Sequence, residues 1–303
     1  MKRIFPAILA LLFFKANGVK AQSTDSLHRL PSISFPAFYS NGQETRARYI
    51  AILIGNALAY HQKRLEYKPD IRLMVLDTAD WRIYSSKGAV YGMPHYDNER
   101  KTLIVAAQDN PFWKSFLPSA DKLPADLRTP IIATYSNKDG SLSARAFFDL
   151  LAIHELGHSF HIQAAVKMQR NWMSELFCNI FLHTYIAGKE PALLPALTLF
   201  PKLVVAGGSK GFKYTSLKDL QDNYNDVATR YPRNYGWYQC RWHVAAGNIY
   251  DADGKKAYIR LWNNFKKQPG RIEDDATLSA FLESSGNAAA AAMMQQWDND
   301  TIR

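Results

Sequence analysis

Two histidines four residues apart bracket a glutamate in the segment His154-Glu155-Leu156-Gly157-His158. On a helix, residues i and i+4 lie on one face a turn apart, so both imidazoles reach a single ion from the same side. Glu155 points off that line yet stays near the open coordination position, where a carboxylate takes a proton from a water polarised by the metal. The preceding run, Ala146-Phe147-Phe148-Asp149-Leu150-Leu151-Ala152-Ile153, is strongly apolar and predicts a central, buried helix. Polar groups left unpaired inside a protein cost several kcal/mol, so two imidazoles and a carboxylate on such a helix need a partner. A metal ion supplies one.

A catalytic zinc takes three protein ligands and keeps one position open. His161, three residues past His158, sits about two turns from His154 on a continuous helix at about 1.5 Å per residue, too far along for one ion to bind all three easily. Glu175 is the better third ligand. It lies in Trp172-Met173-Ser174-Glu175-Leu176-Phe177-Cys178-Asn179, where a carboxylate amid large apolar residues again needs a partner. A break near Asn171 lets this second helix fold back across the first. Asn179 is one turn further on the same face, and its amide oxygen is placed to accept the free N–H of His154 and fix the ring. Cys178 and Cys240 occupy helical, apolar contexts without the paired spacing of a structural zinc site, and are expected as buried free thiols. A disulfide between them is the alternative if the protein meets an oxidising compartment.

The elements that must position these residues can be read from periodicity and turn signals. Ile50, Ile54, Leu58 and Leu65 recur near helical spacing and predict a helix over about 44–67, closed by Pro69. Strands are expected at Ile71–Leu76, Ala89–Tyr91, Thr102–Ala107 and, more weakly, Pro130–Tyr135, with loop and short helix over 110–128. Asn137-Lys138-Asp139-Gly140 is a strong turn, after which the pattern is helical to the end. Ser141 or Ser143 is expected to cap a helix running to about Met168, followed by helices at Met173–Ala187, Leu217–Arg230, Tyr235–Tyr250, Lys255–Lys266 and Ala276–Trp297. The expected class is therefore α+β: a small mixed sheet with a covering helix over 44–140, then the metal-bearing helix and a mostly helical half over 141–303.

Ahead of this, Lys2 and Arg3, the apolar stretch Ile4–Phe14 and the small residues around Val19-Lys20-Ala21 have the order of an export signal cleaved after Ala21. Residues 22–43 are expected to form a flexible mature N-terminus, and the protein to be periplasmic or extracellular. Losing Lys2, Arg3, Lys15 and Lys20 takes the formal charge from +10 to about +6, a mildly basic solvated exterior. No nucleic-acid motif is present, and no segment beyond the signal approaches the length of a membrane span.

An H-E-x-x-H helix followed by a glutamate on a second helix resembles the gluzincin group of zinc metallopeptidases, including its thermolysin-like members. Asp77-Thr78-Ala79-Asp80-Trp81 and Tyr91-Gly92-Met93-Pro94 are similar to segments that precede the active-site helix in bacterial members. The resemblance spans about residues 44–260 and implies one zinc per chain on His154, His158 and Glu175, Glu155 as general base, and a mixed sheet whose edge strand aligns the substrate. It also implies a tyrosine or histidine on a later helix that donates to the oxyanion. Tyr235 and Tyr238 stand at that place in the chain, with His183 and His243 as weaker alternatives. The spacing from His158 to Glu175 is shorter than in thermolysin-like members, which implies a tighter helix turn. Asn179 stands where an aspartate is common, which implies a less polarised His154. The expected activity is zinc-dependent hydrolysis of peptide bonds in a peptide or protein substrate. The alternatives are a non-catalytic zinc-containing surface protein that binds peptides or glycans, and hydrolysis of a non-peptide amide.

Overall fold

The computed structural model describes residues 26–268 and 270–298. The export signal expected over 1–21 lies outside them. In chain order the elements are β1 (His28–Arg29), β2 (Ala37–Tyr39), α1 (Glu44–Leu65), β3 (Arg72–Leu76), α2 (Thr78–Tyr84), β4 (His95–Asp97), β5 (Thr102–Ala106), α3 (Pro111–Lys114), α4 (Ala125–Tyr135), α5 (Arg145–Gln163), α6 (Asn171–Lys189), α7 (Leu194–Ala206), α8 (Leu217–Arg230), α9 (Pro232–Asp253), α10 (Ala257–Lys267), α11 (Asp275–Ser284) and α12 (Ala288–Gln296). The class is α+β.

The five strands form one mixed sheet in the order β1-β2-β3-β5-β4. The inner pairs β2–β3 and β3–β5 are parallel, and the outer pairs β1–β2 and β5–β4 are antiparallel. Leu73, Val75, Leu76, Leu103, Ile104, Val105 and Ala106 are all buried, as continuous apolar runs in parallel central strands require. Helix α1 packs on β2 and β3, α5 packs on β4 and β5, and the two helices touch each other. The sheet thus positions α5 from below, while α6 and α7 pack on it from the helical half and α9 packs on both of those.

Several expectations are corrected. Residues 130–135 are the second half of helix α4, not a strand; Pro130 sits inside it at the sixth helical position. Residues 89–91 form no strand, and the edge strand is β4, four residues further on. The N-terminal stretch expected to be flexible carries β1 and β2 and buries Leu27, Leu30, Phe35 and Ala37. Helix α5 begins at Arg145, whose N–H donates to Ser143 Oγ at 3.3 Å, and ends at Gln163, short of Met168, because Ala165 turns left-handed at φ 53°. Asn171, expected as a break, is instead the first residue of α6. The expected last helix is two, α11 and α12, separated at Gly286, whose φ of 79° suits glycine. Among the described residues no helix is long and apolar enough to cross a membrane.

Candidate metal centre

Helices α5 and α6 carry the chemistry, and their crossing depends on Gly157 inside the histidine motif. A Cβ at Gly157 would stand 3.0 Å from Cys178 Sγ and 3.2 Å from its Cα, so only a glycine lets α6 come this close. The link over residues 164–170 is short. Arg170, at its end, donates to Asp275 and to the carbonyls of Ile272 and Glu273, which fixes where α6 starts. Close crossing and fixed start together place Glu175 and Asn179 over His154 and His158.

Two imidazole nitrogens and a carboxylate converge there. His154 Nε2 and His158 Nε2 are 3.1 Å apart. Glu175 Oε2 is 3.2 Å from His154 Nε2, and its Oε1 is 3.7 Å from His158 Nε2. His154 Nδ1 lies 2.7 Å from Asn179 Oδ1, which only accepts, so the ring carries its proton on Nδ1 and turns a bare Nε2 to the centre. His158 Nδ1 lies 3.0 Å from His161 Nε2. Burial pushes His161 down to about 3, so its ring is neutral; with its own proton on Nδ1, its Nε2 would accept from His158 Nδ1–H and leave His158 Nε2 bare. Burial raises the Glu175 carboxyl, but the His158 and His154 rings outweigh it and hold the group well below the usual carboxylate range. A buried carboxylate against two imidazoles is offset either by protons on the rings or by a cation held between them, and the converging ring nitrogens suit a cation.

Cys178 joins the same neighbourhood. One ligand atom each from His154, His158 and Cys178 lie within 4.8 Å of one another, and this buried group can hold a metal ion. Burial, with the Glu175 and Glu155 charges, raises the Cys178 thiol well above its ordinary value. Cys178 and Cys240 are both free and buried.

Glu155 is half-buried beside the centre. Its carboxyl is raised to about 7, chiefly by burial, with His154 opposing and Glu175 adding to the rise. A carboxyl near neutrality is matched to proton transfer in both directions.

The later helices bring up residues that the motif does not reveal. Along α9, Tyr235, Gln239 and His243 fall at i, i+4 and i+8. Gln239 Nε2 donates to Glu175 Oε2 at 2.9 Å and to Tyr235 Oη at 2.8 Å. Helix α8 departs from helical geometry at Asn223 (φ −122°), immediately before Tyr224, whose hydroxyl donates to Glu175 Oε1 at 3.1 Å. Tyr224 and Tyr235 hydroxyls are 3.0 Å apart. The His243 ring is 6.3 Å from that of His154 and edge-on to Phe147. Tyr238 is not brought to the centre. Its hydroxyl donates to the Ser216 carbonyl, and its ring stacks on Trp297 and Trp242. The three-residue offset from Tyr235 rotates it to the flank of α9 that packs on the C-terminal segment. His183 lies against Gly247 and Tyr250, apart from the ligand group. Compared with known families, curated proteins and solved structures, the chain matches none.

Proposed function

We propose that this protein is a zinc metallopeptidase of gluzincin type, with His154, His158 and Glu175 as ligands and Glu155 as general base. The observation that carries the reading is the convergence of two imidazole Nε2 atoms, 3.1 Å apart, with the Glu175 carboxylate, whose Oε2 is 3.2 Å from His154 Nε2 and whose Oε1 is 3.7 Å from His158 Nε2. A tetrahedral zinc at about 2.0–2.1 Å from nitrogen and oxygen ligands would separate them by about 3.3–3.4 Å, close to the 3.1 Å between the ring nitrogens and the 3.2 Å from His154 Nε2 to Glu175 Oε2. The fit favours Glu175 over Cys178 as third ligand. The ligand atoms of the Cys178 group lie within 4.8 Å of one another, but the thiol is wedged against Gly157 where the helices cross.

Zinc at this site supplies Lewis acidity and lowers the pKa of a water. The rest is the work of the chain. Asn179 fixes the His154 tautomer and ring plane, and His161 does the same for His158. Glu155 accepts the proton of the attacking water and delivers it to the departing amine, which a carboxyl held at about 7 does at neutral pH. Strand β4, at the sheet edge against α5, offers main-chain groups along which an extended peptide aligns. The N-terminal signal makes the setting periplasmic or extracellular.

The test is metal content and peptide cleavage measured on the same samples of wild type and Glu155→Gln, using a mixed peptide pool. The variant should keep about one zinc per chain and lose about 10²–10⁴-fold in turnover, the usual value of a general base. Equal cleavage by both proteins would rule out Glu155 as base. Zinc in both with cleavage by neither would turn the reading toward a binding protein.

A further inference from the structure

Glu175 sits in a closed ring of four hydrogen bonds whose proton order is determined by chemistry alone. The inference rests on Glu175 being a metal ligand, and hence ionised. A carboxylate only accepts, so Tyr224 Oη, 3.1 Å from Oε1, must give its single proton there. Tyr224 Oη then has only lone pairs left for Tyr235 Oη at 3.0 Å, so Tyr235 is the donor in that contact. Tyr235 Oη, having given its proton away, accepts from Gln239 Nε2 at 2.8 Å. The second amide proton of Gln239 goes to Glu175 Oε2 at 2.9 Å and closes the ring. An inverted Gln239 amide would set its carbonyl oxygen against the carboxylate, so the orientation is determined too.

We infer that Tyr224, Tyr235 and Gln239 are positioning residues that hold the third metal ligand, with Tyr235 acting through Tyr224 and Gln239 and not on the substrate. Each carboxylate oxygen receives one protein donor from outside the centre, Oε1 from α8 and Oε2 from α9. The plane of the group is thereby pinned while one face of each oxygen remains turned toward the histidines. The kink at Asn223 belongs to this device, because it sets Tyr224 at the carboxylate. Both tyrosine protons are engaged within the ring, so neither hydroxyl is a free donor for a reacting oxygen in this arrangement.

The test uses the full mature chain with Zn²⁺ alone as probe, titrated against a chromogenic chelator, and the visible spectrum of the Co²⁺-loaded protein as a report on ligand geometry. Tyr224→Phe and Gln239→Met each remove one donor to Glu175 and should weaken Zn²⁺ by about 10–100-fold, the usual cost of losing an outer partner of a ligand. Both should shift the Co²⁺ bands, while the circular dichroism of the metal-free protein stays that of wild type. Tyr235→Phe should weaken Zn²⁺ less, and less again in a Tyr224→Phe background, where one of its two routes to Glu175 is already gone. Single variants that all bind Zn²⁺ within about threefold of wild type with unchanged Co²⁺ spectra would overturn the inference. So would strictly additive losses for the two tyrosines. Should Tyr224→Phe not fold, Gln239→Met reads the ring from the other oxygen. Glu175→Ala separates the two levels. If it keeps Zn²⁺, the ligand assignment fails; if it loses Zn²⁺ while the ring variants do not, only the ring fails.

Discussion

Gly157 and Cys178 meet where α5 crosses α6, with no room for a methyl group between them. The contact links the sequence motif to the ligand set, because the glycine between the two histidines lets the helix bearing Glu175 approach. Gly157→Ala should therefore act twice. Overpacking of this kind costs about 1–3 kcal/mol, and outward movement of α6 should draw Glu175 away from the histidines. We expect a lower thermal midpoint together with weaker zinc binding. The companion Gly157→Ala/Cys178→Ala removes the sulfur that the new methyl strikes and should recover part of both. A Gly157→Ala protein with wild-type zinc affinity would separate the crossing from the site.

Cys178 and Glu175 compete for the role of third ligand, and substitution distinguishes them. Cys178→Ser should leave zinc content and affinity near wild type, because its sulfur packs against the neighbouring helix. Glu175→Ala should lower affinity by orders of magnitude. Zinc that binds the native state alone stabilises it by RT ln(1 + [Zn]/Kd), about 2.7 kcal/mol at a hundredfold excess over Kd. Chelation should accordingly lower the melting temperature of wild type and Cys178→Ser, and leave that of Glu175→Ala unmoved. Calorimetry with and without chelator reads all three. The opposite ranking would assign the cysteine.

His61 makes stability fall in acid. It is wholly buried, stacked on Phe181 with Nδ1 3.0 Å from Tyr258 Oη. Burial, with a smaller effect from Arg64, holds its pKa well below the ordinary 6.5 of histidine. The unfolded chain thus binds a proton that the folded one does not, and stability is lost as pH drops below 6.5. One such group contributes a slope of up to about 1.4 kcal/mol per pH unit. Other histidines whose pKa is lowered, among them half-buried His95, add to it, so the measurement is a difference. His61→Gln should be less stable than wild type at pH 8, and its urea midpoint should fall less steeply between pH 6.5 and 5. Parallel pH profiles would show that His61 does not carry its share.

What was legible in the sequence followed local pattern. The β-branched run Thr102–Ala106 and the apolar periodicity of α1 are local, and those elements lie where pattern places them. Strands β1 and β2 are two and three residues long and exist through pairing, Ala37–Tyr39 against Leu73–Val75, which no local window contains. Helix α4 goes against its local pattern, because Ile131, Ile132 and Thr134 are β-branched and favour a strand while Pro130 speaks against a helix interior. At the centre, His154, Glu155 and His158 follow from spacing, and Glu175 stood out as a carboxylate in apolar company. Tyr224 and Gln239 did not. Gln239 is uncharged and so raises no question of burial, and the only sign was its four-residue separation from Tyr235. Tyr224 reaches Glu175 through a kink that no proline or glycine announces.

The buried pair Arg46–Asp149 provides the last prediction. Arg46 on α1 grips both carboxylate oxygens of Asp149 on α5, with side chains 8% and 9% exposed. The pair ties the sheet-covering helix to the one that carries the histidine motif, five residues before His154. Removing one partner strands the other charge in the interior, which usually costs about 3–5 kcal/mol, whereas replacing both with apolar residues of similar size is often nearly neutral. Arg46→Met and Asp149→Leu should each be strongly destabilised in urea, and the double variant should recover most of the loss. If the pair serves only to fasten the helices, zinc affinity in the folded double variant should match wild type, since His154 is held by Asn179 and not by Asp149. If affinity falls in the double variant while stability is restored, the ion pair also sets the register of α5 against the sheet, and with it the height of His154 and His158 above β4. Urea melts and chelator competition on the same three proteins decide between these, and a double variant no more stable than the singles would show that the pair's geometry cannot be replaced by packing.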